Sequence, residues 1–221
     1  MKREVINTAD GSKTIRLVDL DENYHSSHGA LQEAEHVFIH NGILAFKDEK
    51  HLSIFEMGFG TGLNAFLTCL YSLQNDLKID YDGIEAYPVS IEEINQLDYD
   101  SLKGNEYSSI FNKIHSTSWD EKNEINSNFA LTKIENKIQN FSFQNEKYDI
   151  VYYDAFGPRA QEEMWSLEIF QKLYESIKEG GFLVTYCAKG QVKRDLKTAG
   201  FKIEALPGPP VKREMTRAWK R

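Results

Sequence analysis

Three glycines at alternate positions close an apolar run in Ser53-Ile-Phe-Glu-Met-Gly-Phe-Gly-Thr-Gly-Leu-Asn64, and few folds have a use for such a turn. The run Leu52 to Met57 reads as a short buried strand with one acid, Glu56, near its end. Apolar residues at Leu63, Phe66, Leu67, Leu70 and Leu73 predict a helix directly after it. Strand, glycine turn and helix make the unit that holds a nucleoside-bearing ligand at the carboxyl end of a parallel sheet. Gly58, Gly60 and Gly62 would let the backbone pass a ligand with no Cβ in the way. A tight turn that binds nothing is the alternative.

The spacing narrows the ligand. A dinucleotide fingerprint is G-x-G-x-x-G, and a P-loop needs a lysine after its turn. Here the pattern is G-x-G-x-G, preceded by an acid and followed by no lysine. An acid at Glu56 suits a ligand carrying an ammonium group better than a pyrophosphate. The pattern resembles motif I of the S-adenosylmethionine (SAM) methyltransferases.

At 221 residues the chain is long enough for a full sheet with helices on both faces. No apolar run approaches the roughly 20 residues of a membrane helix, and Met1-Lys-Arg-Glu-Val-Ile-Asn-Thr lacks a signal-peptide core. Cys69 and Cys187 sit in apolar patterns and read as reduced thiols of a cytoplasmic protein. The net charge is −8, yet residues 187–221 carry ten Lys or Arg against three acids. That asymmetry predicts a basic face able to meet phosphate, with a solvated lysine-rich helix as the plainer alternative.

In chain order, Val5-Ile-Asn-Thr and Thr14-Ile-Arg-Leu-Val18 flank Asp10-Gly11 as an N-terminal hairpin. Ala30, Leu31, Ala34, Val37 and Phe38 place one face of a helix on the core. Residues 1–50 are thus expected to cap the carboxyl edge of a methyltransferase sheet formed by 51–221. Glu33 and His36 have the E-x-x-H spacing of carboxylate-bridged metal sites, but no second such motif exists, so no metal is expected. Ile79 to Glu85 reads as the second strand, and its terminal Glu85 is placed to accept from ribose hydroxyls. Pro88 opens a helix through Leu97. Residues 98–128 are polar and weakly periodic, with one loosely packed helix expected. Strands follow at 129–134, 147–154, 182–186, 201–206 and 214–219, with helices at 165–177 and 191–199.

The fourth strand ends in Asp154-Ala-Phe-Gly-Pro158, at the same sheet edge as the glycines. Amine methylation needs an uncharged nitrogen and an acceptor for its proton. Asp154 can hold the amine and take or relay that proton, while Phe156 can pack on a base or on a sulfonium methyl. A loop acid or helix cap is the alternative for Asp154. The stretch is similar to the D-P-P-Y loop of amino-group methyltransferases.

Four stretches together carry a wider resemblance: Tyr24-x-Ser26-x-x-Gly29-Ala30-x-x-Glu33 with His36-Val-Phe-Ile39; the motif from Glu56 to Asn64; Asp154-Ala-Phe-x-Pro158 with Met164-Trp165; and Pro207-Gly-Pro-Pro with Lys212-Arg-Glu-Met-Thr-Arg-Ala218. They resemble the tRNA 5-methylaminomethyl-2-thiouridine methyltransferases, the methyltransferase half of the bifunctional MnmC proteins and its stand-alone MnmD-like form. The resemblance implies a Rossmann-like class I fold with a seven-stranded sheet and SAM as methyl donor. The acceptor it implies is the 5-aminomethyl group of a wobble 2-thiouridine in tRNA. It implies that Glu56, Gly58, Gly60, Gly62, Asn64 and Glu85 hold SAM. Asp154 and Phe156 would orient the amine, and Tyr24, Ser26 and Glu33 would line the pocket mouth. Lys212, Arg213 and Arg217 are expected on the tRNA. Where family members show an acid after the third strand, this chain has Glu135-Asn136-Lys137-Ile138, and Asn136 is the expected adenine contact. The family's flavin-dependent oxidase half has no counterpart in these residues, so no FAD is expected and a separate enzyme would supply the amine. Two other readings stay open: methylation of a small-molecule amine, and a non-catalytic module that binds SAM or tRNA.

Overall fold

The computed structural model describes residues 2–221. Strands β1 (Arg3–Asn7), β2 (Lys13–Leu17) and the two-residue β3 (Glu22–Asn23) form an antiparallel sheet, one strand more than the expected hairpin. Its first turn is pinned by Asp10, whose Oδ1 accepts from Ser12 N at 3.1 Å and from Thr8 Oγ1 at 2.7 Å. Helix α1 (Ala30–Ala34) follows and widens into a π-helical turn, Glu35–His40. Ala30, Ala34, Val37 and Phe38 are buried in one apolar cluster with Leu52, Ile54 and Phe66 of the body.

The main sheet begins with β4 (His51–Met57), followed by α2 (Leu63–Gln74) and β5 (Lys78–Glu85). Helix α3 spans only Ile91–Ile94, shorter than the expected run through Leu97, and opens on a capping box between Ser90 and Glu93. Helices α4 (Tyr99–Lys103) and α5 (Ser108–Ser116) occupy the weakly periodic region. Then come β6 (Lys122–Asn126), β7 (Phe129–Glu135), β8 (Tyr148–Tyr153), α6 (Leu167–Ser176), β9 (Ile177–Thr185), α7 (Gly190–Thr198), β10 (Lys202–Pro207) and β11 (Glu214–Trp219).

The sheet has eight strands in the order β10-β11-β9-β8-β4-β5-β7-β6, which corrects the expected seven. The added strand is β6, antiparallel on the outer edge of β7. Its sequence Lys-Asn-Glu-Ile-Asn buries only Ile125, so it carries no apolar run to announce it. Strand β9 starts at Ile177, earlier than the expected Phe182, and takes in the glycine pair; its register on β8 shifts there, with Gly180 at φ 81°.

Strands β9, β8, β4, β5 and β7 run parallel. Alternate residues face opposite ways: Ile54, Ile150 and Tyr152 pack with α2 and α5, while Phe55, Val151 and Tyr153 pack with α6 and α7. Each fully buried Phe, Leu or Ile in these layers contributes about 1.5–3 kcal/mol. After β7 the chain returns across the sheet to place β8 on the other side of β4. That reversal opens a crevice at the carboxyl ends of β4 and β8, where doubly wound folds bind ligands. Asp154 N donates to Met57 O at 3.0 Å, so the two chain exits leave side by side.

Candidate active site

At this crevice lies a cavity of about 460 Å³, lined by the glycine turn, the ends of β5 and β8, the segment after β7 and the N-terminal cap. Gly58, Gly60 and Gly62 all adopt positive φ. A Cβ at Gly58 would stand 2.8 Å from Asp154 O, and one at Gly60 would stand 3.0 Å from the Tyr24 ring. The turn therefore needs glycine for its backbone conformation and for its packing on the loop after β8 and on the cap.

Glu85 ends β5 at the cavity wall. Its Oε2 accepts from Gly60 N and its Oε1 from Tyr87 N, both at 2.9 Å. Each oxygen keeps a lone pair for a hydroxyl. Asn136 lines the cavity beside it, and its backbone N–H donates to Glu85 O. Ile84, Ile138 and Met57 supply an apolar slot in the lining.

Glu56 is placed differently from expectation. It is fully buried and does not line the cavity. Tyr81 OH donates to its Oε2 and Asn64 Nδ2 to its Oε1, each at 2.8 Å. Burial pushes its carboxyl well above the usual range, and the neighbouring Asp154 adds to this. Glu56 thus acts beneath the floor, through Asn64. Asn64 itself lines the cavity, and its Oδ1 is buried with no partner among the described residues. A buried acceptor left open at a cavity wall calls for a donor such as an ammonium group.

Asp154 stands where this cavity meets a second one, of about 250 Å³, lined by Glu22, Tyr24, Ser26, Glu33, Asp154, Phe156, Tyr186 and Lys212, among others. Burial raises the Asp154 carboxyl to about 7, despite the hydrogen bond from Asn64 Nδ2 to Oδ2 at 2.8 Å; Glu33 raises it further and Lys212 opposes. Phe156 meets the Tyr24 ring edge-on with centroids 5.0 Å apart, and its carbonyl accepts from Trp165 Nε1. Tyr24, Phe156 and Asp154 form the wall common to both cavities. Ser26 N donates to Glu33 Oε2, and Glu33 Oε1 pairs with Lys212 Nζ.

The three basic residues expected on RNA divide. Lys212 turns inward to Glu33, with Nζ 4.1 Å from the Tyr186 ring centroid. Arg217 also turns inward: its Nε pairs with Glu204, Nη1 donates to Asn41 O, and its side chain is 14% exposed. Arg213 alone stands on the surface, in no ion pair among the described residues. His36, for which no metal was expected, bonds Pro207 O through Nε2. Sequence reasoning passed over Arg3, whose guanidinium reaches Pro88 O, Tyr87 O and Glu93 at the cavity rim. It also missed His25 and Tyr186; the lone positions of all three in cap or strand patterns gave no signal. Among the described residues no cluster of three or more His, Cys, Asp or Glu could hold a metal ion, and no helix is long and apolar enough to cross a membrane.

Residues 95–221 match the model of a family described as S-adenosyl-L-methionine-dependent methyltransferases. The chain belongs to that family. It is also similar to proteins named tRNA 5-methylaminomethyl-2-thiouridine biosynthesis bifunctional protein MnmC: 30% identical to that of Cupriavidus metallidurans and 31% to that of Cupriavidus necator, in each case over 89% of this chain and 31% of the relative. The chain thus spans about a third of the length of these curated relatives. Among solved structures, MNMC2 from Aquifex aeolicus superposes with a TM-score of 0.75 at 25% identity, covering all of this methyltransferase chain and 70% of its own. Spermidine synthase from Thermotoga maritima, with a TM-score of 0.53 at 11% identity, shares the fold alone.

Proposed function

We propose that the chain methylates a primary amine, the 5-aminomethyl group of a wobble 2-thiouridine in tRNA, giving the 5-methylaminomethyl form. The observation that carries this reading is the pair of cavities joined at Asp154. One fits SAM by its open acceptor on Asn64, the carboxylate of Glu85 and its apolar slot. The other is lined by acids and aromatic rings, as a cationic or flat acceptor requires. The likeness to MnmC proteins supports a tRNA acceptor.

In this reading Glu85 takes the ribose hydroxyls, Asn136 the adenine edge and Asn64 Oδ1 the ammonium of the methionine part. When bound, SAM supplies a methyl carbon on a positively charged sulfur, which passes to the amine nitrogen as the S–C bond breaks. The chain's own work is to orient the amine and remove a proton. Asp154 accepts a hydrogen bond from the amine and takes the proton that the methylated nitrogen sheds. A carboxyl titrating near 7 can do both at neutral pH. Tyr24 and Phe156 hold the heterocycle edge and narrow the passage against water. Arg213 contacts RNA phosphate. The amine itself is supplied by a separate activity.

Nucleoside mass analysis tests the reading. Transfer RNA bearing 5-aminomethyl-2-thiouridine, incubated with the chain and SAM, should gain one methyl on that nucleoside. Methylation of a free amine with the tRNA unchanged would favour the small-molecule alternative.

A further inference from the structure

We propose that Lys212 fills the cation position beside Glu33 so that the incoming amine meets Asp154 as the uncharged base. The inference rests on the amine-methylation reading. It starts from the charges of the second cavity: of its carboxyls Asp21 and Glu22 pair with Arg16 and Arg159, while Glu33 and Asp154 face a single cation in the lining, Lys212. Carboxylates near an amine favour its protonated form. A protonated amine has no lone pair and cannot attack a methyl group. An acidic pocket that merely captured the substrate would therefore hold it in the unreactive state.

Lys212 offsets this. Its Nζ pairs with Glu33 Oε1 across 179 residues of chain and lies over the Tyr186 ring. The Glu33 side chain is only 13% exposed, and its other oxygen is taken by Ser26 N. Glu33 is thereby satisfied before substrate arrives. From the other elements around Lys212 come Asp21 and Glu22 near β3, His25 of the cap, Asp154 after β8, and Tyr186 and Cys187 after β9. His25 is held neutral near 4 by burial, and burial likewise keeps Tyr186 and Cys187 protonated and neutral. With Asp21 paired to Arg16 and Glu22 to Arg159, the balance around the acceptor turns on Lys212 against Glu33 and Asp154. The end of β10, just before the loop holding Lys212, is tied to the cap a second time by His36 Nε2 on Pro207 O. A lysine serving RNA phosphate would point outward, as its neighbour Arg213 does.

The experiment compares wild type, Lys212→Met, Lys212→Arg and the double variant Lys212→Met/Glu33→Gln on tRNA bearing 5-aminomethyl-2-thiouridine. Single-turnover methyl transfer is followed from about pH 6 to about pH 9. In Lys212→Met the rise of rate with pH should move alkaline by about one unit or more. The double variant, which removes cation and carboxylate together, should move back toward wild type, and Lys212→Arg should keep the wild-type profile. Calorimetry of tRNA binding without SAM, in buffers of different ionisation enthalpy, gives a readout free of turnover: wild type should release a proton on binding and Lys212→Met should release less. An unshifted profile in Lys212→Met with weaker tRNA binding would overturn the inference and return Lys212 to phosphate contact. A double variant no better than the single would do the same. Should wild type leave this tRNA unmethylated at every pH, the functional reading falls and this inference with it.

Discussion

Asn64 Nδ2 lies 2.8 Å from both Glu56 Oε1 and Asp154 Oδ2, so one amide group bridges a fully buried carboxyl and the carboxyl shared by the two cavities. The bridge fixes the direction of Asp154 and leaves Asn64 Oδ1 buried with no partner among the described residues, on a residue that lines the cavity. It also brings two acids into one neighbourhood, where burial raises the Glu56 carboxyl and Asp154 raises it further.

Asp154→Asn keeps the side chain's size and removes its capacity to take a proton. Methyl transfer at neutral pH should fall by roughly 10²-fold or more, the usual scale of acid–base assistance. SAM affinity should change little, because Glu85, Asn136 and Asn64 carry that role. Raising the pH should restore part of the rate, since free amine then forms unaided. A single-turnover assay with parallel SAM titration checks both halves, and a near-normal rate at pH 7 would reduce Asp154 to a structural loop acid.

The same carboxyl makes stability fall as pH rises. Its value is raised from 3.8 to about 7, so between those limits the folded chain binds its proton more firmly than the unfolded one. Stability linked to Asp154 is thus full below about 4, is lost as pH climbs through 7, and is level above. The span amounts to at most about 4 kcal/mol. Asp154→Asn should therefore gain on wild type progressively across this window in thermal or urea denaturation. Glu56 moves in the same direction but remains in both proteins, so the difference reports Asp154. A constant difference across the window would mean that Asp154 is solvated in the folded chain.

The central layers were legible because parallel strands buried on both faces read as apolar runs. The expected Leu52 to Met57 and Lys147 to Asp154 differ from the observed His51–Met57 and Tyr148–Tyr153 by at most one residue at either end. Asp154 was legible as the polar group that ends such a run, and Glu85 as the acid that ends a strand about 20 residues past the glycines. What escaped has physical causes. Strand β6 is an edge, solvated on one side, with a single buried residue. The shortness of α3 follows from its capping box and early C-terminus rather than from periodicity. The second cavity was legible only as separate residues, since Glu33, Asp154, Tyr186 and Lys212 come from four distant segments. Charge counting alone could not reveal that Lys212 and Arg217 point inward.

Gly60→Val tests the glycine turn. The position has φ +50°, which a β-branched residue enters at a cost of about 1–3 kcal/mol, and the new side chain would meet the Tyr24 ring. SAM affinity should drop at least tenfold and the melting temperature should fall by several degrees, because turn and cap are displaced together. Gly60→Ala should show both effects more weakly. Unchanged SAM affinity by calorimetry in the Val variant would put the cofactor elsewhere.

Val211 has φ +65° and is 73% exposed in the turn closed by Lys212 N on Pro209 O. A β-branched residue is strained there, and glycine is not. Val211→Gly should raise stability by about 1 kcal/mol in denaturant titration, even after glycine's greater unfolded-state entropy is counted. A loss of stability would show that the valine side chain makes a compensating contact.

The last prediction separates the basic residues near the C-terminus by where they point. Each phosphate contact adds close to one unit to the salt slope of RNA binding through counterion release. Arg213 is exposed and in no ion pair among the described residues, so Arg213→Ala should weaken tRNA binding and flatten its slope by roughly one. Arg217 is held by Glu204 and Asn41 and flanked by Phe182 and Trp219, with ring centroids at 5.3 and 5.0 Å. Arg217→Ala should instead destabilise the fold by about 1–3 kcal/mol, because the Asn41 carbonyl loses its side-chain donor and Glu204 keeps only Trp219 Nε1. Its salt slope should match wild type once the measurement is made below the lowered melting temperature. Filter binding of tRNA at several salt concentrations, with thermal denaturation of each variant, reads both quantities. A flattened slope in Arg217→Ala with stability unchanged would mean that this guanidinium leaves Glu204 to meet RNA, and the basic face would then extend across β11.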